Sequence, residues 1–190
     1  MLLVVGGQSR KVGKTSVIAG IIRALREAEW TAIKVTQHHS LVGWTLQKES
    51  AESGDSGRYL TAGARESWYL PCAPGQLELA MSALRELIEK SGNVIIESNS
   101  VMDHLQPDLY LLVLDQGTND LKESARRHWA QVSAFVLVEP DIQPEPLSAP
   151  AFTVSRPDFE SAALAAWIAE RFDLQAGGRV TRSETKESSQ

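Results

Sequence analysis

Apolar residues along this chain fall into short runs that alternate with segments of helical spacing. The run from Leu2 to Val5 predicts a buried strand. After a glycine-containing stretch the spacing becomes helical, which predicts an amphipathic helix. The apolar face of that helix consists of Val17, Ile18, Ile21, Ile22 and Leu25. Residues 31–36, mostly β-branched and apolar, predict a second strand, and a strand–helix–strand start predicts a right-handed crossover and a parallel sheet.

The same alternation continues to about residue 172. Further strands are predicted at 67–70, 93–97, 109–114, 134–138 and 151–154, and further helices at 55–64, 77–90, 119–129 and 158–172. Pro71 ends the first of these strands, and Asp158 caps the last helix. Short strands that alternate with helices predict a three-layer α/β domain with a mainly parallel sheet.

Two stretches lack this periodicity. Residues 37–57 are rich in Ser, Glu and Gly and predict a long, mobile loop. Residues 175–190 contain almost nothing apolar and predict a disordered tail. The expected organisation is therefore one domain over residues 1–174, followed by a polar tail over residues 175–190.

Composition narrows the classes of protein that fit. The chain has 190 residues, 43% of them hydrophobic, which suits one domain with a sizeable core. A net charge of −5 argues against a general nucleic-acid binder or a binder of anionic membranes. Cys72 is the only cysteine, which excludes a disulfide scaffold and a cysteine-based zinc site within one chain. Neither a membrane-spanning run nor a secretory signal pattern is present, so we expect a cytoplasmic protein.

The stretch after the first predicted strand has the pattern of a phosphate-binding loop. Gly7 and Gly13 enclose five residues, and a Lys-Thr pair follows at the start of the predicted helix. Loop amides and a helix N-terminus bind phosphates, Lys14 neutralises their charge, and the Thr15 hydroxyl is a ligand for Mg²⁺. The sequence therefore predicts a P-loop NTPase fold that binds a nucleoside triphosphate. The expected nucleotide-binding residues are Gly7, Ser9, Arg10, Lys11, Val12, Gly13, Lys14, Thr15 and Ser16.

Within this loop, Arg10 and Lys11 either contact phosphates or stay in solvent. The spacing of five residues between the glycines differs from the commoner spacing of four. With Val12 before the second glycine, it resembles the loop of dethiobiotin synthetase and of the cobyrinic acid amide synthetases.

Other polar side chains occur at the sheet edge where ligands of such folds bind. Glu97, at the end of a predicted strand, either binds Mg²⁺ and orients a nucleophile or is a solvated strand end. Asp55 is either a second carboxylate at the metal or a plain N-cap. Lys34, in an otherwise apolar strand, either reaches a phosphate or carboxylate or snorkels at a sheet edge. The expected catalytic residues are Lys14, Lys34 and Glu97, and the expected metal ligands are Thr15, Asp55 and Glu97.

Two adjacent histidines, His38 and His39, follow the second predicted strand. Each is a candidate for a metal ligand or a pH-responsive group. Adjacent strand residues point to opposite faces, so a joint pair of ligands requires a turn in the backbone.

Four stretches together resemble one known family. They are Gly-Lys-Thr at 13–15, Ile-Lys-x-x-x-His-His at 33–39, Gly-Asp-Ser-x-Arg-x-x-x-Ala-Gly-Ala at 54–64, and Ile-Ile-Glu at 95–97. Their order and spacing resemble the molybdopterin-guanine dinucleotide biosynthesis protein B family, small GTP-binding proteins that assist attachment of GMP to molybdopterin. The resemblance covers roughly residues 1–100. It implies that Lys14 and Thr15 bind phosphate and Mg²⁺, and that Asp55 and Glu97 lie near the metal.

The chain departs from this family at two points. Glu97 is followed by Ser-Asn-Ser where the family usually has a glycine. There is also no Asn-Lys-x-Asp motif to bind guanine, and the strand at 134–138 is followed by Glu-Pro-Asp. Asp141 of that stretch is a candidate acceptor for a guanine edge, by analogy only.

Three functions fit these residues. The first is a Mg²⁺-dependent, slow GTPase that assists maturation of the molybdenum cofactor, for which the resemblance implies a partner cofactor-synthesis enzyme and a possible homodimer. The second is a small ATP-dependent ligase that resembles dethiobiotin synthetase, which the loop spacing favours. The third is a nucleotide-binding regulator without useful turnover.

Overall fold

The structure, a computed structural model, describes residues 1–115, 117, 120–139 and 147–174. Its strands are β1 Leu2–Gly7, β2 Thr31–Gln37, β3 Gln47–Lys48, β4 Glu66–Cys72, β5 Val94–Glu97, β6 Leu109–Asp115, β7 Ala134–Val138 and β8 Ala151–Val154. Its α-helices are α1 Lys14–Ala24, α2 Gly54–Ala62, α3 Leu77–Lys90, α4 Glu123–Arg127 and α5 Ala162–Arg171, and 3₁₀ turns cover Arg26–Ala28, Ser100–Asp103 and Trp129–Gln131. The predicted tail over residues 175–190 lies outside the described residues.

The strands form one sheet in the order β3-β4-β2-β5-β1-β6-β7-β8. Every neighbouring pair is parallel except β3 with β4. Strand β1 lies in the middle, between β5 and β6, and its residues 3–5 are fully buried. Nearly continuous apolar strands of this kind are typical of parallel sheets that are covered on both faces.

Alternate residues of β1 serve two separate cores. Leu3 and Val5 pack with α1, α2 and α5 on one face of the sheet, whereas Val4 packs with α3 on the other. Because side chains alternate across a strand, one sheet can bury both faces against helices. The predicted three-layer α/β fold with a mainly parallel sheet is therefore confirmed.

Two predictions near β4 need correction. Pro71 lies within β4 and pairs with Thr36 instead of ending the strand. Its carbonyl accepts a hydrogen bond from Thr45, so its nitrogen, which carries no hydrogen, also faces away from β2. Residues 37–57 are not wholly a loop, because β3 runs antiparallel along the outer edge of β4 and Trp44 forms a bridge with Cys72. A two-residue strand is too short to produce a periodic signal.

Two helix predictions were also wrong in their bounds. Instead of 119–129, the structure has the five-residue α4, because the backbone before it is extended at Lys122, whose amide donates to the Gln8 carbonyl. The last helix is capped by Ser161, whose hydroxyl accepts from the Leu164 amide, and not by Asp158. The backbone of Asp158 instead accepts a hydrogen bond from Arg23 of α1. None of the helices in the described ranges is long and apolar enough to span a membrane.

Candidate functional site

The loop between β1 and α1 has a backbone conformation that suits an anion. The φ angle is positive at Lys11 (62°) and at Gly13 (94°), whereas Arg10 and Val12 lie outside the left-handed region. Left-handed residues alternating with ordinary ones turn successive amide groups toward a common concave side. A Cβ atom at Gly13 would lie 2.7 Å from a ring carbon of Phe159, so glycine is required there for its conformation and for its size.

Among the described residues, no side chain caps the N-terminus of α1. The N-cap residue is Gly13, which has no side chain to accept a hydrogen bond, and the first turn contains no acidic residue. The first amide groups of the helix and the positive end of its dipole therefore remain available to an anion. Ser9 and Val12 are buried, which fixes the loop in front of this helix end.

Lys14 begins α1 and is partly desolvated, with the Glu97 carboxylate and two further ammonium groups nearby. Burial lowers its pKa, and the nearby Glu97 carboxylate opposes that effect. The ammonium groups of Lys122 and Lys34 lower the pKa further. Cations that are held close to one another in a buried position indicate a site for an anionic ligand.

Lys122 is a functional candidate that the sequence analysis missed. Its amide donates to the Gln8 carbonyl over 2.9 Å, which fixes this residue beside the phosphate loop. Burial and the Arg10 guanidinium lower its pKa. The sequence does place Lys122 soon after β6, at the edge of the sheet where ligands bind. This residue instead falls within the polar helix predicted at 119–129.

Thr15, Lys34, Asp55 and Glu97 form a cluster beside the start of α1. The Thr15 hydroxyl donates to Glu97 Oε2 over 2.7 Å. The Lys34 ammonium lies 2.8 Å from Asp55 Oδ2 and 3.7 Å from Glu97 Oε2. The direct hydrogen bond from Lys34 lowers the pKa of Asp55. The prediction that Lys34 reaches a carboxylate is confirmed, and Asp55 is part of an ion pair instead of a plain N-cap.

Tyr59 of α2 completes this cluster and was not predicted. Its side chain is fully buried, and its hydroxyl donates to Glu97 Oε2, the oxygen that also accepts from Thr15. Burial and the Glu97 carboxylate raise the pKa of Tyr59. The sequence offered little signal for it, because a buried tyrosine on an amphipathic helix is usually a core residue.

Asn99 clamps the first glycine of the phosphate loop. The Gly7 amide donates to Asn99 Oδ1 over 2.7 Å, and Asn99 Nδ2 donates to the Gly7 carbonyl over 2.9 Å. The same Nδ2 lies 3.4 Å from the Ser124 hydroxyl at the start of α4. Asn99 belongs to the Ser-Asn-Ser stretch that departs from the family pattern, and here its side chain joins β1, the segment after β5, and α4.

We expect Asn99→Asp to weaken nucleotide binding by about 10- to 100-fold. The aspartate still accepts from the Gly7 amide, but its second oxygen faces the Gly7 carbonyl, and such an unmatched buried contact costs about 1–3 kcal/mol. Calorimetry with a non-hydrolysable triphosphate measures the change. Asn93→Asp is the matched control, because Asn93 donates to the Ala28 carbonyl at the opposite end of the sheet. Equal affinities for the two variants would contradict a positioning role for Asn99.

The remaining predicted loop residues differ in their surroundings. Arg10 and Lys11 are exposed, and Ser9 is buried with its hydroxyl 3.2 Å from the Arg10 carbonyl. The Ser16 hydroxyl accepts from Arg58 Nη2 over 3.1 Å, which ties α2 to α1. The structure therefore gathers Thr15, Lys34, Asp55 and Glu97 into one cluster and leaves Arg10 and Lys11 outside it.

The two histidines differ in their surroundings. His38 Nε2 lies 3.0 Å from the Tyr69 hydroxyl, which itself accepts from Thr36, and His39 is exposed. In the described part of the chain, no group of three or more His, Cys, Asp or Glu side chains is arranged to hold a metal ion.

At the ends of β6, β7 and β8, Arg156 links two carboxylates. Its guanidinium lies 3.2 Å from Asp115 Oδ2 and 2.8 Å from Glu139 Oε2. Asp141, the candidate for binding guanine, lies outside the described residues.

Comparisons with known proteins bear on the fold. No protein-family model matches this sequence, and no curated protein matches it. HypB from Helicobacter pylori in complex with nickel is 14% identical, with a TM-score of 0.54 over 95% of this chain and 90% of that one. LpxK from Aquifex aeolicus in complex with ATP is 19% identical, with a TM-score of 0.52 over 80% of this chain. This chain spans about half of LpxK, 53% of its length.

MobB from Bacillus subtilis is a weaker structural match. It is 16% identical, with a TM-score of 0.44 over 89% of this chain and 96% of that one. The fold assignment rests on HypB and LpxK together with the sheet order and the glycine loop between β1 and α1. The chain has the three-layer α/β fold of the P-loop NTPases.

Proposed function

We propose that this chain binds a nucleoside triphosphate with Mg²⁺ and hydrolyses it slowly. The observation that carries the proposal is the meeting of Lys14, Thr15, Lys34, Asp55 and Glu97 around one helix N-terminus. The loop between β1 and α1 and the N-terminus of α1 supply backbone amides that can donate to phosphate oxygens, and the Lys14 ammonium supplies positive charge beside them.

The oxygen ligands in the cluster around Thr15 suit a magnesium ion. It consists of one hydroxyl and two carboxylates, from Thr15, Asp55 and Glu97, and hard cations prefer such oxygen ligands. These three residues would hold the ion together with phosphate oxygens and water. The ion would neutralise charge on the phosphates, which is the usual contribution of a metal to phosphoryl transfer.

Glu97 is suited to orient an attacking water. Thr15 and Tyr59 both donate to its Oε2, which fixes the carboxylate and directs its acceptor capacity to Oε1. A water that donates to Oε1 would be held for attack on the terminal phosphorus, and its proton would pass to Oε1. The bond from that phosphorus to the bridging oxygen would break, and the nucleoside diphosphate would leave with that oxygen. Lys34 and Lys14 would offset the charge that builds on the phosphate oxygens.

The sequence resemblance adds finer detail to this proposal. It favours GTP over ATP and a role in maturation of the molybdopterin guanine dinucleotide cofactor, together with a partner enzyme and a homodimer. The alternative is a small ATP-dependent ligase, which the five-residue spacing between Gly7 and Gly13 supports. LpxK, which shares the fold, is described with ATP, so both nucleotides belong in the test.

The decisive measurement is the affinity of the purified chain for GTP and for ATP, each with and without Mg²⁺. Fluorescent analogues of both nucleotides serve as probes, with unlabelled nucleotide as competitor. We expect triphosphate binding that Mg²⁺ strengthens, with GTP preferred. Absence of binding to either nucleotide would refute the proposal, and a preference for ATP would shift it to the ligase alternative.

A further inference from the structure

The Lys34 ammonium lies among the three oxygen groups that we assign to Mg²⁺. It is 2.8 Å from Asp55 Oδ2, 3.4 Å from Thr15 Oγ1 and 3.7 Å from Glu97 Oε2. Only 12% of its side chain is exposed, so water contributes little to its solvation. A buried ammonium needs such oxygen partners, because an unpaired charge in this position is costly.

The fold builds this arrangement from three separate elements. Lys34 of β2 and Glu97 of β5 are direct neighbours in the parallel register. Asp55 lies in the first turn of α2. Arg58 of the same helix donates a hydrogen bond to the Ser16 hydroxyl of α1, which holds α2 against α1. Sheet pairing and helix packing therefore place the oxygen partners around the ammonium, although the lysine side chain itself is flexible.

Two cations cannot occupy the same place among these oxygens. A divalent ion that entered the nucleotide-free site would have to displace the ammonium and leave it buried beside a like charge. A bound triphosphate removes that conflict, because its oxygens offer new partners to the lysine and further ligands to the ion.

We propose that the Lys34 ammonium occupies the cation position of the nucleotide-free site and excludes divalent ions until an anionic ligand binds. This inference rests on the proposed function, because it concerns the same Mg²⁺–triphosphate site. It gives binding an order, in which the ion enters with the triphosphate and not before it. Lys34 is thereby the residue that decides which cation the site holds.

The test is a Mn²⁺ titration of the nucleotide-free full chain. Binding is measured as the decrease of the electron paramagnetic resonance signal of free Mn²⁺. We expect weak binding in the wild type and at least about tenfold tighter binding in Lys34→Met, because one positive charge has left the two carboxylates. Lys34→Gln is a second variant with a polar side chain. The double variant Lys34→Met with Asp55→Asn should lose the gain, which assigns the ion to this site.

Lys48→Met is the matched control, because Lys48 also lies 2.8 Å from a carboxylate, that of Glu66, at the outer edge of the sheet. It should leave Mn²⁺ affinity unchanged. The inference is overturned if both folded Lys34 variants bind Mn²⁺ no more tightly than the wild type. Because the titration contains no nucleotide, its result is separate from that of the triphosphate assay, which alone decides the proposed function.

Discussion

Lys14→Ala is expected to weaken triphosphate binding by at least about 10- to 150-fold while the fold stays intact. Each charge-assisted hydrogen bond from a lysine to a phosphate is worth about 1.5–3 kcal/mol, so loss of one lowers affinity about 10- to 150-fold. Lys14 is the first residue of α1 and lies near Glu97, Lys34 and Lys122, so its loss also removes positive charge from the start of this helix. Calorimetry with a non-hydrolysable triphosphate measures the change.

Stability provides the control for this variant. The pKa of Lys14 is lowered in the folded chain, so the unfolded chain holds the proton more tightly. Below the ordinary lysine pKa, the charge therefore opposes folding, and this cost disappears as the pH rises above that value. Lys14→Ala should melt no lower than the wild type at neutral pH. Lys90→Ala, an exposed change in α3, should keep full affinity.

A folded Lys14→Ala protein that binds triphosphate as tightly as the wild type would contradict the phosphate-loop assignment. A variant that binds nothing but has also lost its cooperative melting transition would show instead that Lys14 stabilises the fold.

The parts of the fold that follow from local pattern could be predicted from the sequence. Helix α3 was predicted at residues 77–90 and spans Leu77–Lys90, because its apolar positions keep one period over four turns. The glycine loop could be predicted because a strand, a glycine loop and a helix follow one another over residues 2–25. Lys34 and Glu97 could be assigned to one edge, because the carboxyl ends of parallel strands gather ligands there.

Contacts between distant parts of the chain could not be predicted in the same way. Tyr59 and Glu97 are 38 residues apart, and Asn99 and Gly7 are 92 apart, so no local pattern relates them. Lys122 was missed because the backbone before α4 is extended by its bond to the loop, which composition does not indicate. Side chains that bind one another through tertiary packing become recognisable only when the strand order is known.

Glu97→Gln is expected to slow hydrolysis about 10²- to 10⁴-fold, the usual range for removal of a positioned base. The glutamine carbonyl can replace Oε2 and still accept from Thr15 and Tyr59. Its amide group then replaces Oε1 and presents a donor where the attacking water needs an acceptor. Triphosphate affinity should change much less, because Lys14 and the loop carry most of the binding and Glu97 acts chiefly in the transition state.

Single-turnover hydrolysis and calorimetry on the same preparation separate these two effects. Asp55→Asn should lose less activity than Glu97→Gln, because the Asp55 side chain is 64% exposed and water can replace part of its role. Glu66→Gln is the control, since this carboxylate pairs with Lys48 at the sheet edge and should leave both quantities unchanged. Wild-type turnover in Glu97→Gln would refute the role assigned to this carboxylate. An equal loss of binding and turnover would assign Glu97 to ground-state binding of the metal–triphosphate complex instead of to the attacking water.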